Sequence, residues 1–186
     1  MFIQTEATPN PQTLKFLPGR EVLAGEPRDF RDAGAAAVSP LAAALFMVEG
    51  VTGVFLGADF VAVTKNDADW AHLKPAVLGA IMEHFLSGNP ILSGGTEAAA
   101  DDAELFFDAA DAEMVEVIKE LLDTRVRPAV AMDGGDITLK GYKDGMVYLH
   151  MQGACSGCPS STATLKNGIE NLLRHFVPGV EGVQQI

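Results

Sequence analysis

The chain has 186 residues, of which 48% are hydrophobic and 20% charged, and its 25 acidic and 13 basic side chains give a formal net charge of -12. A charge this negative argues against nucleic acid or an anionic membrane as the main partner, because both bind proteins through clustered Lys and Arg. The length and composition predict a soluble protein of one or two domains.

The first six residues carry no sign of a targeting segment. They lack the basic and apolar regions of a secretory signal and the Arg-rich composition of an organelle transit peptide. The apolar stretch at 35–54 is interrupted by Ser39, Pro40 and Glu49, so it does not predict a membrane-spanning helix. We therefore expect a cytoplasmic protein that does not bind membranes.

The distribution of charge divides the chain into three parts. Residues 91–111 contain six acidic and no basic side chains, with few bulky apolar residues. Such a segment cannot bury enough apolar surface to offset the entropy of ordering it, which is typical of a linker. We therefore predict two domains, 1–90 and 112–186, joined by an acidic linker at 91–111. Within it, the aromatic segment 104–108 could dock on a neighbouring surface.

The first domain is predicted to be mixed α/β. Short apolar segments between Pro and Gly turns predict strands at 2–7, 13–17, 21–24, 51–57 and 60–64. Ser39 before Pro40 predicts a helix start, because Ser caps free backbone amides and Pro suits the first helical position. Apolar residues at four-residue intervals over 73–85 predict a second helix that ends at Gly88. This domain contains no cysteine and its histidines are isolated, so we expect no catalytic group there.

The second domain is predicted to begin with a helix whose apolar face includes Val115 and Ile118 and which ends before Pro128. Two strands at 137–142 and 146–151 follow, joined by an Asp-Gly pair suited to a tight hairpin turn. A helix with apolar residues from 165 to 176 and a closing strand at 180–185 complete the order α-β-β-α-β. The fold class predicted for the chain is therefore α+β, with two small mixed α/β domains.

The chemistry is concentrated at Cys155 and Cys158, the only two cysteines of the chain. They lie where the second hairpin strand gives way to a helix. Two cysteines are too few for a disulfide scaffold, and in a reducing compartment a Cys-x-x-Cys pair is more typical of metal or redox chemistry. In both cases the thiolate is the active form. The free amides of the helix start and the small neighbours Gly153 and Gly157 are expected to favour that negative charge.

Three kinds of chemistry compete for this pair. In a thioredoxin-like dithiol the second cysteine normally lies in the first helical turn, whereas Pro159 here predicts that the helix begins after both sulfurs. A closed zinc site needs four ligands, and only His150 is close in sequence. An iron-sulfur cluster is typically held by four thiolates, so two chains would have to share it.

Less specific interpretations remain beside these. The cysteines can form a merely structural pair. A Cys-His nucleophile with His150 or His175 is also conceivable, but nothing in the sequence places either histidine next to Cys155. Asp133 and Asp136 resemble paired carboxylates, but the sequence Asp-Gly-Gly-Asp is more typical of a turn. The hydroxyl side chains at 160–162 are most simply a helix cap.

Several segments resemble one known family. In the first domain they are Thr8-Pro9-Asn10-Pro11, Leu14-Lys15-Phe16, Pro18-Gly19, 57–60 and 63–65, and in the second domain they are Met132-Asp133-Gly134-Gly135-Asp136, Gly153-Ala154-Cys155-Ser156-Gly157-Cys158-Pro159-Ser160-Ser161 and 164–170. The second domain is similar to the NifU-like C-terminal domain of Nfu-type iron-sulfur proteins, and the first domain is similar to the Nfu N-terminal domain. Together they cover nearly the full chain.

The resemblance implies a carrier, not an enzyme, that receives a [4Fe-4S] cluster from an upstream donor and passes it to apo-enzymes. Its ligands would be Cys155 and Cys158, with the cluster bridged between the Cys-x-x-Cys pairs of a homodimer. The first domain would serve targeting or client contact. Unlike full-length NifU, the chain has no other cysteine-bearing part, so primary cluster assembly is not expected. The alternative function is a thiol-disulfide oxidoreductase that uses the same pair.

Overall fold

A computed structural model describes residues 1–93, 105–156 and 159–186, without the side chains of 156 and 159–161. The chain divides into two compact units, Met1–Glu97 and Ala98–Ile186. Both combine helices with a β-sheet, so the predicted α+β fold class is confirmed. The limits predicted for the two domains and the linker stay predictions, because most of the linker lies outside the described residues.

The described part of the first unit contains an antiparallel sheet with the strand order β1-β2-β5-β4-β3. Side chains from the sheet and from both helices form one core, in which Phe16, Leu41 and Ile81 are fully buried. The elements are β1 Gln4–Ala7, β2 Thr13–Leu17, β3 Arg28–Phe30, α1 Pro40–Phe46, β4 Val51–Leu56, β5 Val61–Lys65 and α2 Trp70–Ser87, with a 3₁₀ turn at Ala35–Val38.

One predicted strand of this unit is wrong. Residues 21–24 form bends rather than a strand, although Val22 and Leu23 are buried. Their amides donate to the carbonyl of Ala58, at 2.7 and 3.3 Å, instead of joining a ladder. The strand that completes the sheet is β3, which pairs with β4. The apolar residues at 22–23 therefore indicate a buried segment, and a buried segment need not be a strand.

Helix α1 begins at Ser39–Pro40 and helix α2 ends at Gly88, as the sequence predicts. The hydroxyl of Ser39, which is fully buried, accepts from the amide of Ala42 at 3.2 Å and donates to the carbonyl of Ile91 at 2.6 Å. Helix α2 ends at Gly88, which has a left-handed φ of 70°. The contact with Ile91 attaches the first residues of the predicted linker to the core of this unit.

The second unit contains a sheet of described strands in the order β6-β7-β8. Strands β6 and β7 form the predicted hairpin, and its turn residues Asp144 and Gly145 have φ values of 50° and 80°. Strand β8 pairs in parallel with β7, which confirms the predicted α-β-β-α-β order. The elements are α3 Ala112–Leu121, α4 Arg127–Met132, β6 Gly135–Lys143, β7 Met146–Gly153, α5 Pro159–Phe176 and β8 Gly182–Gln185, with 3₁₀ turns at Ala109–Asp111 and Ala154–Ser156.

The first helix of this unit does not stop before Pro128 as predicted. A π-helical turn, Leu122–Val126, follows α3 and leads directly into α4. The amide of Arg127 donates to the carbonyl of Leu122, five residues earlier. Pro128 then occupies the first turn of α4, the part of a helix that tolerates proline. The wider turn therefore lets a helical path continue through a residue that normally ends one.

The segment before α3 adds a short bridge to the edge of this sheet. The amide of Phe106 donates to the carbonyl of Lys140 at 3.2 Å, and the carbonyl of Phe106 accepts from Tyr142 at 2.9 Å. Its ring lies 5.0 Å from that of Tyr148 and covers Gly141, where a Cβ atom would stand 2.6 Å from the Phe106 ring. The aromatic segment of the predicted linker thus docks on its own unit.

Among the described residues, no helix is both long and apolar enough to cross a bilayer.

Candidate functional site at Cys155

Cys155 lies in the 3₁₀ turn Ala154–Ser156, which connects β7 to α5. Its residue surface is only 6% exposed, and it packs in the hydrophobic core of the second unit. Helix α5 begins at Pro159, after both cysteine positions, as the sequence predicts. The hydroxyl of Thr162, in the first turns of that helix, donates to the carbonyl of Cys155 at 2.8 Å. Cys158 and Gly157 lie outside the described residues, so the pairing of the two sulfurs stays a prediction.

Two glycines allow the backbone to approach the sulfur of Cys155. Gly135, at the start of β6, pairs with Gly153 at the end of β7. A Cβ atom at Gly135 would lie 2.7 Å from the Cys155 Sγ and 2.7 Å from the carbonyl oxygen of Gln152. Gly153 has a positive φ of 67°, which turns the chain from the strand into the cysteine segment. The position of the thiol therefore depends on the absence of a side chain at 135.

The surroundings of Cys155 oppose the thiolate. Burial, together with the smaller effect of the Asp133 and Asp136 carboxylates, raises the pKa of the thiol from 9.0 to about 11. The sequence led us to expect that the helix start would favour the charged form. That contribution is only about 0.3 to 1 kcal/mol at an exposed helix end, and here desolvation and two nearby anions outweigh it. Without a cation, this thiol is protonated at neutral pH.

Asp136 is part of a buried ion pair that the sequence did not reveal. Its side chain is 6% exposed, and its two carboxylate oxygens accept from Nε and Nη2 of Arg127, both at 3.0 Å. Asp133 is exposed and forms a turn with Gly134, whose φ is 79°. The turn interpretation therefore fits Asp133, whereas Asp136 is the second residue of β6 and is held by the guanidinium.

The histidines considered from the sequence have other contacts. His150 Nδ1 lies 3.2 Å from the carbonyl oxygen of Ile186, and the ring of His175 packs edge-on against that of Phe176 at 5.0 Å. Within the described ranges, no three His, Cys, Asp or Glu side chains form a group that could hold a metal ion. In the first unit, His84 is buried and its Nε2 has no hydrogen-bond partner among the residues described.

Two family models match the chain. The model described as scaffold protein Nfu/NifU N terminal matches residues 3–88, and the model described as NifU-like domain matches residues 118–184. The second match includes Cys155, Cys158 and the Arg127–Asp136 pair. The two matches fall in the two compact units, as the resemblance noted in the sequence implied.

Curated relatives carry the same description in insects and in humans. The chain is 54% identical over 188 residues to the NFU1 iron-sulfur cluster scaffold homolog, mitochondrial, of Drosophila ananassae. It is 50% identical over 188 residues to the human protein with that description. All of this chain is covered in both cases, but it spans 64% of the Drosophila protein and 72% of the human one.

The prediction of a cytoplasmic location is wrong in the light of these relatives. Their descriptions name them as mitochondrial, which points to mitochondria rather than the cytoplasm. The prediction relied on the composition of the first six residues. Those residues say little about location in a sequence that spans only part of the length of its relatives.

Proposed function

This chain belongs to the Nfu family of iron-sulfur cluster scaffold proteins, and from that membership we propose that it binds a [4Fe-4S] cluster as cargo and delivers it to apo-proteins. The ligands are Cys155 and Cys158. The observation that carries the proposal is the position of Cys155, on the turn that leads into α5 within the region matched by the NifU-like model. Thiolates are the ligands that iron-sulfur clusters take from proteins.

A count of sulfur ligands supports a shared site. A [4Fe-4S] cluster is typically held by four cysteine thiolates, and the whole chain contains two. Two copies therefore have to contribute their pairs to one cluster, as a homodimer with the cluster on its symmetry axis. The cargo is then part of the dimer interface.

This arrangement also suits release. Each copy holds only half of the cluster, so the thiolates of a client can replace those of one copy before the second lets go. Delivery consists of ligand exchange at iron, and no covalent bond of an organic substrate is made or broken. An upstream donor supplies the cluster, and the first unit, which contains no cysteine, contacts the clients.

The alternative function, thiol-disulfide exchange, fits the described cysteine poorly. Dithiol oxidoreductases use an exposed thiolate with a lowered pKa. Cys155 is buried, and its pKa is raised to about 11. A metal ion deprotonates such a thiol when it binds, whereas an organic disulfide has no comparable effect.

Anaerobic reconstitution of the full chain with ferrous iron and sulfide tests the proposal. We expect a dimer that contains four iron and four sulfide ions, measured by native mass spectrometry and chemical analysis. It should restore the activity of an apo-enzyme that needs a [4Fe-4S] cluster. Cys155→Ala and Cys158→Ala should each lose both cluster and dimer while keeping the circular dichroism of the cluster-free chain.

The matched control is His150→Asn, which removes the histidine closest in sequence to the cysteines and should bind the cluster normally. A full cluster in a single-cysteine variant, or inside one copy of the chain, would falsify the shared site. A colourless product that reduces insulin would favour the oxidoreductase.

A further inference from the structure

The Arg127–Asp136 pair has the geometry of a strong and specific contact. Both nitrogens of the guanidinium fork meet the carboxylate at 3.0 Å, and the carboxylate is almost fully buried. Bidentate pairs of this kind fix the orientation of both groups as well as their separation. On its more exposed side Arg127 also contacts Asp123, at 3.3 Å. Its guanidinium thus links the helical segment to the start of β6.

The start of β6 in turn contacts the turn that carries Cys155. The carbonyl of Gly134 accepts from the amide of Ala154 at 3.2 Å. Gly135 pairs with Gly153, and its backbone lies so close to the Cys155 sulfur that no Cβ atom fits between them. A displacement of residues 134–136 would therefore move the surface against which the thiol packs.

The position of Arg127 follows from the π-helical turn. Arg127 is the first residue of α4, and its amide completes the five-residue bond to Leu122. Turns of this type are rare in helices and occur frequently at functional sites. Here the turn precedes the residue that reaches from the helical segment to Asp136.

We propose that Arg127 is a positioning residue for the cargo site: by holding Asp136, it fixes the backbone at 134–136 and, through it, the turn that carries Cys155. The part of this inference that concerns the cluster rests on the proposed function. Without the guanidinium, the carboxylate of Asp136 is a buried charge with its main partner removed, which is strongly unfavourable. The start of β6 then opens to hydrate it, and the cysteine turn loses its support.

Amide hydrogen exchange of the cluster-free chain tests whether Arg127 fixes the backbone at 134–136 and the turn that carries Cys155. In Arg127→Gln, we expect the amide of Ala154 and the amides at 134–136 to exchange on the order of tenfold faster than in the wild type. The amides that join β7 to β8 serve as an internal reference and should change little. The matched control is Arg125→Gln, the same substitution two residues away, at an exposed arginine that packs on the ring of Phe176.

The rate at which the reconstituted dimer loses iron to a chelator tests whether Arg127 also helps to hold the cluster. It is measured at a temperature where every cluster-free variant is folded. We expect Arg127→Gln to lose iron about 10- to 100-fold faster than the wild type, the range typical of groups that orient metal ligands. Arg127→Lys, which keeps the charge but not the fork, should be intermediate. The double variant Arg127→Gln with Asp136→Asn should be closer to the wild type than Arg127→Gln alone, because no buried carboxylate is left unpaired.

The outcomes separate this inference from the proposed function. If Arg127→Gln exchanges and loses iron as the wild type does, or if all its amides accelerate equally, the positioning role is wrong while a cluster-binding wild type stands. If the wild-type chain takes up no cluster, the proposal that it carries a [4Fe-4S] cluster is wrong. Local loosening at 134–136 and Ala154 in Arg127→Gln would still support the positioning role.

Discussion

The thiol of Cys155 combines two properties that oppose each other. It lies on a turn ahead of a helix, where backbone amides favour an anion, and it is buried beside two carboxylates, which favour the neutral form. The second effect is larger, because burial removes the water that stabilises a thiolate. A cluster would have to bring the compensating charge itself.

Alkylation of the cluster-free chain measures this balance. In Cys158→Ala, where Cys155 is the only cysteine, the thiolate fraction at pH 8 should be about 100-fold lower than for a thiol with a pKa of 9.0, since the pKa is about two units higher. The rate of reaction with iodoacetamide should be low at pH 8 and rise until the pH passes about 11.

The matched variant is Asp133→Asn, which removes one exposed carboxylate that raises the pKa of Cys155. Its rate should rise at a lower pH than that of its parent. A midpoint near 9 in the parent would show that the thiol is exposed in solution.

His84 gives the first unit a dependence on pH. Burial lowers the pKa of this histidine below 6.5, so folding stabilises the neutral ring. The free energy of unfolding should therefore be highest above pH 6.5 and should fall as the pH decreases toward the pKa of the folded state, by at most about 1.4 kcal/mol per pH unit. Urea unfolding between pH 8 and pH 5 measures the slope. His84→Gln should flatten it, and His72→Gln, at an exposed position, is the matched control.

At the scale of elements, the docking of Phe106 shows how a connecting segment becomes part of a folded unit. Its backbone joins the edge of β6, and its ring covers Gly141 and contacts Tyr148. The bridge occupies part of a strand edge that would otherwise expose unpaired backbone groups. Phe106, which the sequence assigns to the linker, therefore packs with the second unit.

Phe106→Ala should lower the free energy of unfolding of the second unit by about 1–2 kcal/mol, through lost apolar burial and a lost aromatic pair. Phe107→Ala is the matched control, because Phe107 is similarly exposed and has no ring contact within the described ranges. Its cost should be smaller. Denaturant unfolding of the full chain provides both values.

Gly141→Ala tests the same contact from the other side. Its new methyl group would collide with the Phe106 ring in the wild type and should cost less stability in the Phe106→Ala background. Equal costs in the two backgrounds would mean that the ring does not lie on Gly141.

Local signals account for the elements that the sequence predicted correctly. Ser39 with Pro40, the apolar spacing of α2 and the Asp-Gly hairpin turn each act over a few residues. Strand β3 was missed because its partner, β4, is distant in the chain. The π-helical turn was missed because Pro128, taken alone, predicts a helix end. The same distinction applies to the site. The sequence placed the cysteines on the turn before α5, but neither the burial of Cys155 nor its contact with Gly135 has a local signal.

At the scale of the whole molecule, the net charge opposes the proposed dimer. Each copy carries a formal charge of -12, and two copies have to meet at one cluster. Exposed charges repel over about 30 Å at 0.01 M salt, but only over about 8 Å at 0.15 M. Salt should therefore favour the association of like-charged copies.

We predict that the cluster-loaded dimer dissociates less at 0.15 M than at 0.01 M salt, as measured by analytical ultracentrifugation without oxygen. Lys143→Glu, an exposed change at the hairpin that makes each copy more negative, should steepen this dependence. Weaker association at the higher salt would indicate that attraction between opposite charges, rather than repulsion, dominates the interface.

The burial of Cys155 also affects how well its thiol survives in the cluster-free chain. Peroxides attack thiolates that solvent can reach, and the resulting sulfinic and sulfonic acids are generally not repaired. The sulfur of Cys155 is protected from this damage because it is both buried and protonated. The proposed ligand should therefore survive in the cluster-free chain under oxidising conditions that damage an exposed thiolate.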